Sequence, residues 1–307
     1  MTVTWVVGAG GLLGRHVARA LQASGHVVVT QEIPWHDAEG VRAALRAGAA
    51  ALADLAAGGS WSVAWCAGAG VVATPQEDLD EEVEAFRTLL DELAALPGQG
   101  ALFLASSAGG VYAGSPDVPP YTEESQTRAL APYGVAKLAM EEHATSYARD
   151  HGLALLIGRI SNLYGPGQNL GKPQGLVSLL CQAELSRQPV GVYVSLDTLR
   201  DYLFVEDAAA MVVACLDRLS PGERVTKILA SGRATSIAAL VGEATKVFRR
   251  RPPLVFRGSA SSSVQVRDLR LTSVVWTDLD VLARTPLPVG LAATGQSVAR
   301  AMTSVRV

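Results

Sequence analysis

Val3-Thr4-Trp5-Val6-Val7-Gly8-Ala9-Gly10-Gly11-Leu12-Leu13-Gly14 is the stretch on which the reading of this chain turns. A short apolar run reads as a buried strand. It meets glycines at 8, 11 and 14, and helical spacing begins at Leu12 and runs to Gln22. Small residues between a strand and a helix let the backbone come close to a pyrophosphate. The positive end of the helix then attracts that anion. Gly8, Gly11, Leu12, Leu13 and Gly14 are therefore the expected phosphate-cradling residues. The plainer alternative is a tight strand–helix turn that holds no ligand.

Outward from this loop, strands and helices alternate. Val27 to Thr30 reads as a second buried strand, and Asp37 as the N-cap of the Ala-rich helix that follows. Trp61 to Cys66 reads as a strand. Leu79 to Leu96 reads as an amphipathic helix stopped by Pro97-Gly98. Ala101 to Ala105 is another strand, Tyr133 to Asp150 a helix, and Leu153 to Ile160 a strand. Continuous apolar strands alternating with helices predict a parallel sheet covered on both faces. The expected fold is thus α/β, a Rossmann-type doubly wound sheet with a smaller C-terminal substrate-binding lobe. Residues 1–165 form the first domain, with about 196–244 returning to it. Residues 166–195 and 245–307 form the lobe.

The bulk composition limits the function classes. The chain has 307 residues, 49% hydrophobic and 18% charged, which suits one large domain or a core with an appended lobe. A net charge of −3 gives no support to nucleic-acid binding. The run Arg249-Arg250-Arg251 reads as a solvated helix end more than as a phosphate contact. Cys66, Cys181 and Cys215 lie far apart without metal-ligand spacing, so no metal is expected and each reads as a small hydrophobe. The N-terminus reads as the start of a strand and not as a signal peptide. No segment has the apolar length of a membrane span. A cytoplasmic protein is expected.

Two further features carry chemistry. An acid should follow the second strand to bind the adenosine ribose. Glu32, 18 residues after Gly14, is the candidate. A carboxylate there repels the 2′-phosphate of NADP, so NAD is the expected cofactor over NADP. The bland alternative is a solvated loop acid. Tyr133 and Lys137 are spaced i, i+4 and share a helix face. A nearby ammonium makes a phenol easier to ionise and turns it into a usable acid/base. Such a pair also occurs by chance on helix surfaces.

The motifs in order resemble the extended short-chain dehydrogenases/reductases, the nucleotide-sugar epimerase/dehydratase group. They are the glycine loop at 8–14, Ala67-Gly68-Ala69, Ser106-Ser107 with Val111-Tyr112, and Tyr121-Thr122-Glu123-Glu124. Pro132-Tyr133-Gly134 with Lys137 follows, then Arg159-Ile160-Ser161-Asn162-Leu163-Tyr164-Gly165-Pro166-Gly167, and Arg200-Asp201-Tyr202-Leu203-Phe204-Val205-Glu206-Asp207. Thr285-Pro286-Leu287 adds a weaker match.

The resemblance implies Tyr133 as catalytic acid/base and Lys137 as its partner on the nicotinamide ribose. It implies Ala67 and Gly68 beside the cofactor. It places Asn162 near the substrate phosphate and Arg200 on the nucleotide pyrophosphate. The plain readings of the last two are a turn residue and a surface ion pair. The resemblance breaks at Ala108, where the group carries Ser or Thr. Ser107 either replaces that hydroxyl in catalysis and substrate contact or simply ends its strand. Relatives that eliminate water carry an acidic pair just after the hydroxyl residue, where this chain has Gly109 and Gly110.

The implied activity is an NAD(P)-dependent epimerase acting at C4 of a nucleotide-activated sugar. UDP is the expected nucleotide, and the expected assembly is a homodimer. A 4-ketosugar reductase is the alternative of the same class. A retired nucleotide-binding regulatory protein is the alternative of another class.

Overall fold

In a computed structural model that describes residues 2–68, 70, 74–171, 175–256 and 266–304, the first strand is buried along its whole length. β1 (Val3–Val7) leads into α1 (Leu12–Ala23), β2 (Val27–Thr30), α2 (Ala38–Ala56), β3 (Trp61–Trp65), α3 (Gln76–Leu93) and β4 (Gly100–Ser107). A short helix, α4 (Ala108–Tyr112), precedes α5 (Pro132–His151) and β5 (Ala154–Ile160). Then come β6 (Asn162–Tyr164), α6 (Leu176–Ser186), β7 (Val190–Val192), β8 (Leu199–Phe204), α7 (Val205–Arg218) and β9 (Arg224–Leu229). β10 (Ala234–Ser236), α8 (Ile237–Phe248), β11 (Leu254–Phe256), a 3₁₀ turn over Thr277–Leu282 and α9 (Leu287–Ser304) complete the order.

The central sheet has six strands in the order β2-β1-β3-β4-β5-β9, and every pair in it is parallel. The chain leaves β1 through α1 toward β2 on one side, then crosses through α2 to β3 on the other. That reversal opens a crevice beyond the C-terminal end of β1, where doubly wound sheets bind their ligands. Alternation along β1 explains why the strand is apolar throughout. Trp5 and Val7 join the cluster built by α2, α3 and α5, with Trp65, Phe86 and Met140. Val6 joins the opposite cluster, with Val17 and Leu21 of α1 and Met211 and Val212 of α7. Each fully buried side chain of this size contributes about 1.5–3 kcal/mol.

A third cluster gathers Tyr164, Leu180, Phe204, Leu240 and Leu291 from α6, α8, α9 and the short strands. There β8 lies between β10 and β6, and β11 pairs with β7. Of the stretch 196–244, α7 and β9 pack with the central sheet, whereas β8, β10 and α8 belong to these smaller elements. The reason is the apolar face of α8, where Ile237, Leu240, Val241 and Ala244 find the side chains of α6 and α9.

Acids of the motifs tie the late segments down. Asp201 accepts from Ser231 N, Ser231 Oγ and Arg233 N. Asp207 accepts from Thr285 N and Oγ1, which explains the Thr285-Pro286-Leu287 match. Glu123 accepts from Ile228 N, Ser273 Oγ and Val274 N. Beside it, the fully buried Lys227 donates to Ser273 Oγ, Val275 O and Asp280 Oδ1. Cys181 and Cys215 are buried and Cys66 half-buried, and burial pushes all three thiols up, which disfavours the reactive thiolate. Among the described residues no helix is long and apolar enough to cross a membrane, and no cluster of ligands could hold a metal ion.

Candidate functional site

Gly8 takes φ 81°, a left-handed angle that favours glycine, and its carbonyl accepts from Gly11 N at 2.9 Å. A Cβ on Gly14 would sit 2.2 Å from that same carbonyl, so only hydrogen fits. α1 starts at Leu12 with no side-chain cap and no acid in its first turn. Leu12 and Leu13 therefore lead a helix whose first backbone N–H groups have no side-chain acceptor among the described residues. Nothing lies within 4 Å of a Cβ built on Gly10, so the space above the loop is open. This donor set fits a pyrophosphate. Arg15, which sequence reasoning passed over, adds a cation by bonding the Gly10 and Gly11 carbonyls.

Ala67 backs directly onto the loop: a Cβ on Gly8 would come within 2.6 Å of Ala67 N. Gly68 lies beside it at the end of β3, while Ala69 falls outside the described residues. Glu32 is exposed. The register Val6↔Thr30, extended by two, puts it two residues past β2, level with Gly8 one residue past β1.

Tyr133 stands in the first turn of α5, with Pro132 at the helix start. Its ring lies between two glycines. A Cβ on Gly70 would be 3.2 Å from Tyr133 Cδ2, and one on Gly110 would be 3.3 Å from Cδ1 and Cε1. Lys137 Nζ lies 5.7 Å from the ring centroid, so the i, i+4 spacing does bring phenol and ammonium together. Lys137 is not a surface residue: its side chain is 5% exposed and donates to Glu82 Oε1 at 2.7 Å. Burial works most strongly against the Lys137 charge, but Glu82, together with Tyr133 and Glu141, outweighs it and the pKa is raised.

Ser107 ends β4 and caps α4, accepting from Gly110 N at 3.2 Å. Among the described residues its hydroxyl hydrogen has no acceptor. Ser106 points the other way and donates to Glu141 Oε1 at 2.6 Å. Glu141 also holds the guanidinium of Arg159 through two bonds, and Arg159 donates to the Tyr112 hydroxyl. This buried network joins β4, β5, α4 and α5. Ala108 is fully buried in an apolar cluster with Tyr112, Tyr121 and Leu269.

Asn162 and Arg200 lie together on the β6–β8 pair. Asn162 Nδ2 donates to Asp201 O at 2.9 Å. Arg200 donates to Leu199 O and has no ion-pair partner among the described residues. Burial lowers its pKa, an unfavourable setting for a lone cation unless an anion joins it. Neither residue touches Tyr133 in the fold.

Sequence reasoning missed Glu82, Gly70, Gly110 and the Glu141–Arg159 pair. A signal for Glu82 existed: it falls three residues after Leu79 and four before Phe86, on the buried stripe of α3. An acid on an apolar stripe calls for a partner.

A family model described as the NAD dependent epimerase/dehydratase family matches residues 4–228. The chain is 28% identical over 257 residues to the UDP-glucose 4-epimerase of Corynebacterium glutamicum, covering 77% of each chain. It is 32% identical over 114 residues to a protein of Sinorhizobium fredii called "Probable dTDP-glucose 4,6-dehydratase", covering 37% of this chain and 32% of that one. The aligned stretches span only 32–40% of the length of the first curated relatives. Among solved structures, the UDP-glucose 4-epimerase of Thermotoga maritima with UDP-glucose superposes with a TM-score of 0.82. That match covers 98% of this chain and 100% of that one at 20% identity, a likeness of fold alone.

Proposed function

Because the chain belongs to the NAD dependent epimerase/dehydratase family, we propose that it is a 4-epimerase of nucleotide-activated sugars, with NAD as its cofactor. The observation that carries this reading is the Tyr133 ring held between Gly70 and Gly110 with the Lys137 ammonium beside it. NAD, when bound, supplies the acceptor and later the donor of one hydride. Tyr133 takes the proton of the C4 hydroxyl as the C4 hydrogen leaves with its electron pair. It returns that proton when the ketone is reduced from its other face. No atom is gained or lost, so the product is the C4 epimer.

The remaining residues hold the reactants. The glycine loop and the N-terminus of α1 cradle the cofactor pyrophosphate, and Lys137 donates to the nicotinamide ribose. Glu32, at the level of Gly8, accepts from the adenosine ribose, a role that favours NAD over NADP. Arg200, with no ion-pair partner among the described residues, binds the substrate pyrophosphate, for which its forked guanidinium is suited. Asn162 binds beside it. The smaller C-terminal elements around α6 and β7 receive the sugar. Water elimination has no support, because Gly109 and Gly110 carry no proton-transferring group.

The test is incubation of the purified protein with UDP-glucose and no added cofactor, followed by NMR of the sugar anomeric protons. UDP-galactose is the expected product. Turnover of a ketosugar only with added NADH or NADPH would instead identify a reductase. Bound NAD without any turnover would identify a retired binding protein.

Ser107 supplies the hydroxyl that Ala108 lacks, since its oxygen serves as a cap while its proton stays available. Ser107→Ala is expected to lower the rate by about tenfold or more. Ala108→Ser is expected to restore nothing, because side chains at that position enter an apolar cluster. An active Ser107→Ala and a gain in Ala108→Ser would reverse this assignment.

A further inference from the structure

Glu82 is an acid in a place where the proposed chemistry does not use one. Its carboxylate is 11% exposed and sits on the buried stripe of α3. Oε1 bonds Lys137 at 2.7 Å, and Oε2 accepts from Gly70 N at 3.4 Å. A Cβ on Gly68 would lie 2.9 Å from Glu82 Oε1 and 3.2 Å from Lys137 Nζ. One on Gly70 would touch both Glu82 Oε2, at 3.4 Å, and the Tyr133 ring, at 3.2 Å. The carboxylate is thus one residue's thickness from the acid/base.

We infer that Glu82 biases this site toward the oxidised cofactor, its carboxylate offsetting the Lys137 ammonium so that the positively charged nicotinamide is accepted beside Tyr133. The inference rests on the proposal that the site binds NAD. Oxidation of a carbinol sends its proton to Tyr133 and its hydride to the cofactor, so the ring that accepts the hydride must lie beside Tyr133. That ring carries a positive charge in NAD⁺ and none in NADH. Lys137 alone would repel the charged form, and the buried setting makes such repulsion expensive. Glu82 cancels it. Among the described residues Glu82 is the one carboxylate bonded to Lys137; Glu141, which also favours the ammonium, spends its hydrogen bonds on Arg159 and Ser106. The bias suits an enzyme that begins each turnover by oxidising its substrate and restores NAD⁺ in place.

The test is equilibrium binding of NAD⁺ and of NADH, by calorimetry, to the parent protein and to Glu82→Gln. The amide keeps the shape and a hydrogen-bonding oxygen but removes the charge. The ratio Kd(NAD⁺)/Kd(NADH) is expected to rise about tenfold, an effect on the order of one buried charge at several ångströms. A side chain that only positions Lys137 would weaken both forms by the same factor, and an unchanged ratio overturns the inference. If Glu82→Gln alone fails to fold, Lys137→Met is compared with the neutral double variant Lys137→Met/Glu82→Gln. The same tenfold rise is expected between them, and its absence is equally decisive. A parent protein that binds neither form overturns the cofactor assignment itself, and this inference with it.

Discussion

Tyr133→Phe is expected to lower turnover by about 10²–10⁴ while leaving cofactor affinity nearly unchanged. The substitution deletes one oxygen from a ring that the fold already holds in place. Gly70 and Gly110 flank its two edges, and Gly134, next in the helix, packs against the Gly110 carbonyl. Phe fills the same slot, so neither the helix start nor the Lys137–Glu82 pair should move. What is lost is the group that takes and returns the C4 hydroxyl proton. Without it the proton must pass to water or to Ser107, whose hydroxyl is a poor base. The measurement is steady-state epimerisation alongside NAD binding by fluorescence. A variant retaining more than about half of the parent rate would exclude Tyr133 as the acid/base.

Glu141→Leu is expected to destabilise the protein by about 3–5 kcal/mol. The carboxylate accepts from Arg159 Nε at 3.1 Å, from Arg159 Nη2 at 2.7 Å and from Ser106 Oγ at 2.6 Å. Burial disfavours the Arg159 charge most strongly, but Glu141 and Tyr112 together outweigh it and raise its pKa. Removing the acid leaves a guanidinium in the interior with only the Tyr112 hydroxyl to meet it. The cost comes from that stranded charge more than from the lost attraction. Glu141→Leu/Arg159→Met should therefore recover most of the stability, since an apolar pair strands nothing. Urea midpoints of the three proteins give the comparison. The exposed pair Arg87–Glu84 serves as control, and Glu84→Ala should change stability by less than about 1 kcal/mol. Equal costs at Glu84 and Glu141 would show that burial of the pair does not matter.

The sheet was legible because its evidence is local. β1 and β2 appear within the limits that apolar runs predict, and Asp37 caps α2 by accepting from Glu39 N. Helix ends were less legible. The periodicity of α3 predicts a start at Leu79 and an end at Leu96, whereas the helix runs Gln76–Leu93. Pro75 is compatible with the position before a helix, and the polar residues from Gln76 to Asp78 carry no apolar period to mark the start. The last turn tightens before Pro97 into i→i−3 bonds, Ala94 N to Asp91 O and Leu96 N to Leu93 O. β4 extends to Ser107, two residues beyond its apolar run, since its pairing with β5 continues through Ser107↔Ile160.

The order of motifs determined the family, the glycine loop and the Tyr133–Lys137 spacing, because each of these lies within one or two consecutive elements. Tertiary structure alone decided what surrounds them. Glu82 reaches Lys137 from another helix 55 residues away, and Arg159 reaches Glu141 from β5 to the helix packed on it. Only the packed fold shows that both acids are buried and paired. A single sequence records that an acid is present on a helix. Whether its charge meets water, a cation or a cofactor depends on which surfaces pack together, and that is set by contacts between residues far apart in the chain.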